Sequence, residues 1–258
     1  MDQDQPRLPL AYELTTLDRV DSVLEEAARR ADRGAGEGTV IWTREQSNAV
    51  TRRGKTWYSP AGNLHCAVIV EPEYDNATAE QLLYVAAISA GTAIADLVMP
   101  MTGLRYRWPN HIYINDLKSG MLQLRTSREN ADHYRWLAIG LNVNVAGHPA
   151  NPEPERFNSI HASGTQDVTA GALLEAYCRH FLSWINRWAD EGFAPTRKTW
   201  VQRADGIGED VVLHVGDKVV KGVLREPDAG GRGVVEQADG TTSTVSIGEY
   251  FDLGQRET

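Results

Sequence analysis

The chain has 258 residues, of which 41% are hydrophobic and 24% charged, and it carries a formal net charge of -9. This suits a soluble globular protein with a substantial core, built as one large domain or as a large and a small one. The acidic balance argues against sequence-independent nucleic-acid binding, which needs a broad basic face, but leaves room for local cations that hold a small anion.

The opening residues, "MDQDQPRLPLAYEL", are acidic and lack a continuous apolar core, so no signal peptide is expected. Residues 17–34, "LDRVDSVLEEAARRADRG", place Val20, Val23, Leu24, Ala27, Ala28 and Ala31 on one face and predict a helix closed by Gly34. "GTVIW" (38–42) predicts a buried strand, and "LHCAVIVEP" (64–72) another, closed by Pro72, with the polar loop 43–63 between them. "TAEQLLYVAAISAGTAIADLV" predicts a long apolar helix with Thr78 as its N-cap. "RYRWPNHIYINDLKSGMLQL" (105–124) reads as strand, polar corner and strand, and "YRWLAIGLNVNVAG" as one more strand. Residues 147–167 are polar and rich in Pro and Asn, as in a surface loop. "VTAGALLEAYCRHFLSWINRWADEG" is an amphipathic helix with Trp184 and Trp188 on its apolar side, where core packing explains them. Cys66, in a strand, and Cys178, on this helix, have no metal or redox spacing and read as buried free thiols, consistent with a reducing cytoplasm.

After residue 205 the texture changes. The runs "VVLHV", "KVVKGVLRE", "GRGVVEQ", "TTSTVSI" and "EYFDL" are punctuated by glycine turns and predict five short strands closing a small β-barrel. The expected architecture is therefore α+β: a mixed sheet with packed helices over 12–205, and a small barrel domain over 206–253. No stretch approaches the roughly 18 apolar residues of a membrane span, so a cytoplasmic protein without membrane contact is expected.

Two groups of cations stand out. Lys118 interrupts an otherwise apolar strand, either as an exposed residue beside the Asn115-Asp116 turn or as a charge aimed at an anion. Arg52, Arg53 and Lys55 form a loop cluster that is either solvated or anion-binding. Trp57 and Trp108 could equally be core aromatics. The seven histidines show no metal-ligand spacing, no metal site is expected, and no Ser-His-Asp or Cys-His arrangement can be argued.

Four stretches, in order, resemble the biotin protein ligases and the related lipoate protein ligases. "REQSNAVTRRGKTWYSPAGNL" is similar to the substrate loop, "RWPNHIYINDLKSGML" to the Trp-Pro-Asn-Asp strand leading to the family's lysine, and "AIGLNVN" to a Gly-x-Gly-x-Asn-x-Asn strand end. The tail from Ile207 to Leu253 resembles a C-terminal barrel of the Src-homology-3 type. The DNA-binding helix-turn-helix of regulatory members would precede this region and is not expected here, and no nucleic-acid partner is expected.

The resemblance implies ATP-dependent activation of a carboxylic acid, biotin or a relative, as an acyl-adenylate, with transfer to a lysine of a biotinyl or lipoyl carrier domain. Such a site must hold several negative charges as pyrophosphate leaves, which requires preorganised cations and backbone donors. By position, Lys118 and Arg52 would be catalytic, and Lys55, Trp57, Asn110 and Asn142 would bind the nucleotide. Gln46, Gly120 and Gly140 would serve the acyl group, and magnesium would accompany ATP. The likeness also leaves a homodimer through sheet edges open. Departures from the pattern support an alternative, a non-catalytic relative that binds a ligand or carrier domain. Ala49-Val50-Thr51-Arg52 stands in place of Gly-Arg-Gly-Arg, His111 in place of the acid of Trp-Pro-Asn-Asp, Ala138 in place of a glycine, and Lys118-Ser119-Gly120 is one residue short.

Overall fold

Leu17 to Val20, expected to open a helix, instead end a strand. The computed structural model describes residues 6–52, 54–128, 132–150 and 156–253, so Arg53 and part of the 147–167 segment lie outside the described residues. Strand β1 spans Glu13–Val20, and helix α1, Val23–Asp32, begins only after Ser22, whose side chain accepts from the Glu25 N–H. An N-cap serine breaks the continuity that hydrophobic spacing alone suggested. Strands β2 (Thr39–Gln46) and β3 (Leu64–Val70) follow. The next helix is split. Its first turn, α2 (Asn76–Ala79), is capped by Asp75, which leaves Thr78 inside that turn, and α3 runs Leu82–Leu97. Because α3 is apolar on nearly every face, it is buried almost throughout.

The 105–124 stretch supplies three strands rather than two: β4 (Leu104–Arg107), β5 (His111–Ile114) and the start of β6 (Leu117–Arg128). Asn115 and Asp116 both have positive φ and form the two-residue hairpin turn between β5 and β6. Strand β7 (Tyr134–Val143), helix α4 (Ala170–Glu191), helix α5 (Phe193–Val201) and the short β8 (Ala204–Asp205) complete the larger unit. The eight strands form one sheet in the order β1-β2-β3-β7-β6-β5-β4-β8; it is antiparallel except for the parallel outer pairs β1/β2 and β4/β8. Alternation splits the core in two. Ile41, Ala67, Ile69, Trp136 and Ala138 pack against α1, while Val40, Trp42, Leu137, Ile139 and Leu141 face the other way, with α3 and α4.

Four of the five C-terminal runs are strands: β9 (Asp210–Val215), β10 (Lys218–Arg225), β11 (Gly233–Glu236) and β12 (Thr242–Val245). They pair antiparallel in the order β12-β11-β10-β9, an open sheet among the described residues rather than the expected closed barrel. "EYFDL" is not a strand. It lies mostly in α6 (Ile247–Phe251), where Ser246 and Glu249 make a reciprocal capping box that fixes a helical start despite the β-like composition. The small sheet sits against the large one where β11 meets Trp108. A Cβ at Gly233 would fall 2.5 Å from the indole, so only glycine permits this approach.

Candidate active site

Between the two sheets lies a cleft of about 800 Å³, within the range of roughly 300–1,000 Å³ usual for small-molecule sites. The loop between β2 and β3 forms one wall. It folds as a small hairpin in which Val50 bridges Thr56, the Thr51 N–H donates to Lys55 O, and Gly54 turns the tip with φ +71°. Ala49 and Trp57, at the hairpin base, pack with Met121 of β6 and with Phe157. The other walls come from β4–β6, from the segment around Phe157, from β9 and Leu224 of the small sheet, and from Tyr250 and Phe251 of α6.

Five of the nine residues singled out from the sequence line this cleft: Arg52, Lys55, Trp57, Asn110 and Lys118. The Lys118 ammonium stands 5.7 Å from the centre of the Trp57 ring and 5.9 Å from that of Phe157. Arg52 is already engaged. One Nη donates to the His214 carbonyl, the other is 3.4 Å from Asp252 Oδ2, and the guanidinium lies 4.6 Å from the Tyr250 ring centre. Tyr250 in turn meets Trp108 edge-on, and Trp108 Nε1 donates to the Tyr84 hydroxyl, 2.9 Å away. Asn110 Nδ2 donates to the Leu122 carbonyl at 2.7 Å, which leaves its buried Oδ1 with no partner.

The other four lie outside the cleft wall. Asn142 is buried, its Oδ1 accepting from Gln46 Nε2 at 2.8 Å and lying 3.0 Å from His65 Nδ1. Burial pushes the His65 imidazole down to about 4, so the ring is neutral at pH 7 and a proton on Nδ1 satisfies Asn142. Both polar side-chain atoms of Gln46 are engaged within the protein. Its Oε1 accepts from the Val23 N–H at the start of α1, and its Nε2 donates to Ser59 Oγ as well as to Asn142. Gly120 and Gly140 are closely surrounded: a Cβ would come 3.2 Å from the Asn142 carbonyl at the first and 3.3 Å from Leu24 at the second.

The cleft also uses residues not singled out from the sequence, among them Phe157, Asn144, Arg107 and Tyr250. Asn144 shares a strand end with Asn142 and was visible in "GLNVN". Phe157 is the one aromatic in the 147–167 segment, a signal that this segment returns to the core. Its middle does so, since Asn158, Ser159 and Ile160 are buried. Among the described residues there is no group of three or more His, Cys, Asp or Glu that could hold a metal ion, and no helix is long and apolar enough to cross a membrane.

Residues 8–202 match the model of the biotin/lipoate A/B protein ligase family. The chain belongs to that family. Within it, the chain is 29% identical over 219 residues to a biotin–[acetyl-CoA-carboxylase] ligase of Paracoccus denitrificans, covering 83% of this chain and 90% of that protein. It is also 29% identical over 200 residues to the bifunctional ligase/repressor BirA of Bacillus subtilis, of which it spans 60%. A biotin protein ligase-like protein of unknown function from Silicibacter sp. TM1040 has the same fold, with a TM-score of 0.79 at 22% identity over 94% of this chain and 97% of that one. So does the biotin protein ligase of Aquifex aeolicus, solved with biotin and ATP, with a TM-score of 0.76 at 21% identity over 92% and 97%. The family's mixed α+β fold, with its small C-terminal antiparallel sheet, is therefore the fold of this chain.

Proposed function

We propose that this family member is an ATP-dependent ligase that activates biotin, or a closely related carboxylic acid, as its acyl-adenylate and passes the acyl group to a lysine of a carrier domain. The observation that carries this reading is the Lys118 ammonium standing in a nucleotide-sized cleft that Arg52, Lys55, Trp57 and Asn110 also line. Attack of a carboxylate on the α-phosphate brings two anions together, and fixed cations offset that repulsion and the charge developing as pyrophosphate departs. In this reading Lys118 and Arg52 neutralise the reacting groups, Lys55 and Trp57 hold the nucleotide, and Asn110 offers its unpartnered Oδ1 to a ligand donor.

Asn142 and Gln46 act at one remove by fixing the start of α1 and the loop beside Trp57, while Gly120 and Gly140 leave room for the Asn142 carbonyl and for Leu24 of α1. Magnesium enters as part of the MgATP substrate, held by phosphate oxygens and water. Residues 12–205 form the catalytic unit and 206–253 a closing unit in this proposal, at work in the cytoplasm. The Paracoccus relative is named for acetyl-CoA carboxylase; for this chain we carry over only the class of acceptor, a carrier-domain lysine.

Two contacts favour the alternative of a non-catalytic binder: Arg52 is tied to Asp252 and His214, and Gln46 already engages both Nε2 donors and an Oε1 lone pair within the protein. Both would have to exchange partners to meet a substrate. Pyrophosphate release with MgATP and biotin, lipoate or a medium-chain fatty acid decides between the two. Release with one acid, abolished in Lys118→Ala, supports the ligase and identifies its acyl group. A folded protein that releases none with any acid is a binder.

A further inference from the structure

Lys118 is held by more than its own strand. Its N–H donates to the Arg156 carbonyl at 3.1 Å and its carbonyl accepts from the Asn158 N–H at 3.0 Å, so the segment carrying Phe157 is stitched to it on both sides. That segment is itself fixed by three buried asparagines in series. Asn63 Nδ2 faces Asn144 Oδ1 at 3.4 Å, Asn144 Nδ2 donates to the Asn158 carbonyl at 3.1 Å, and Asn158 Nδ2 donates to the Ile114 carbonyl and Ser163 Oγ. Phe157 thereby meets Trp57 edge to face, with ring centres 6.3 Å apart at 76°, and both rings lie within 6 Å of the Lys118 ammonium.

We propose that Phe157 is a positioning residue: with Trp57 it cradles the Lys118 ammonium between two rings and so aims it into the cleft, the asparagine series keeping Phe157 in place. A lysine has four rotatable bonds and an ammonium that water solvates strongly, so a strand address alone does not fix where its charge sits. Two ring quadrupoles at this range do, and they act on charge rather than on shape. The consequence for turnover rests on the role proposed above for Lys118; the cradle itself does not.

Two measurements test it. In urea unfolding, a double-mutant cycle between Phe157→Leu and Lys118→Leu is expected to show coupling of about fivefold in the unfolding equilibrium constant; additive effects overturn the proposal. In pyrophosphate release, Phe157→Leu is expected to lower kcat about tenfold with the KM for ATP changed less than twofold, and Phe157→Tyr to restore it. Equal rates for the Leu and Tyr variants would mean that Phe157 merely fills space, and would overturn it too. If the wild-type protein releases no pyrophosphate with any acid, the ligase reading fails alone, and the unfolding cycle still accepts or rejects the cradle.

Discussion

Arg52 and Asp252, 200 positions apart, close the cleft between them with an ion pair of 3.4 Å. The pair ties the loop that carries Lys55 and Trp57 to the segment just after α6, and Tyr250 stacks beneath the guanidinium. A nucleotide that recruits Arg52 must first break this contact.

Asp252→Ala therefore lowers the KM for ATP by a factor of about 2–5, since a partly exposed pair contributes at most about 1 kcal/mol. Arg52→Ala moves the KM the other way. Steady-state kinetics at several ATP concentrations read both, and an unchanged KM in Asp252→Ala would show that the nucleotide does not use Arg52.

His65 gives the protein an acid sensitivity of its own. Its folded-state value is lowered to about 4, so between pH 6.5 and pH 4 the unfolded chain binds a proton that the native state refuses. Stability then falls as pH falls through that window, and the contribution is fully lost below pH 4. The size is about 3 kcal/mol as an upper figure. Urea midpoints at pH 7, 6 and 5 for wild type and His65→Gln isolate it: the wild-type midpoint falls more steeply, and parallel curves would remove His65 as the cause.

Glu80 runs in the opposite direction. Burial pushes its carboxyl up, against the lowering effect of the hydrogen bonds it accepts from the Gly248 N–H and the Tyr134 hydroxyl. The folded state thus binds this proton more tightly than the unfolded chain does, and that contribution is lost as pH rises above the ordinary carboxylate range. Glu80→Gln keeps an acceptor for Gly248 and can donate to Tyr134, so it leaves stability at pH 7 unchanged or raised. Glu80→Ala removes both hydrogen bonds and costs about 1–3 kcal/mol. Thermal melts of the two variants make the comparison, and equal losses would refute the charge argument.

Cys66 and Cys178 are buried, and burial pushes the Cys178 thiol up to about 12 and that of Cys66 well above its ordinary value. Neither reacts with an aromatic disulfide reagent in the native protein, and both react in 8 M urea. Rapid reaction without denaturant would show that the sheet opens locally between β3 and α4.

Most of the fold could be read from composition and order, because long apolar runs such as Leu64–Val70 and Leu82–Leu97 leave little choice of structure. Errors gathered where a short polar contact overrides periodicity. The Ser22 cap divides β1 from α1, Asp75 moves a helix start, and the Ser246–Glu249 box turns "EYFDL" into a helix. Within the site, Lys118, Trp57 and Asn110 were singled out through the family resemblance, and all three line the cleft. Phe157 was not, because its placement depends on buried asparagines that look like loop residues in a linear reading. Nor could the sequence reveal that Gln46 and Asn142 bond to each other, since that pairing spans 96 positions.

Asn63 accepts with a single oxygen from three successive backbone N–H groups, those of Val145, Ala146 and Gly147. The chain leaving β7 is therefore clamped on one side, and Asn144 clamps its return at Asn158 on the other. With both ends anchored, and Arg156 and Asn158 bonded to the backbone of Lys118, the chain can differ in length only ahead of Arg156, where lengthening a closed loop costs about 0.6 kcal/mol per doubling. Insertions there are the place where a designer, or evolution, can add a recognition surface to this ligase fold without disturbing the lysine at its centre.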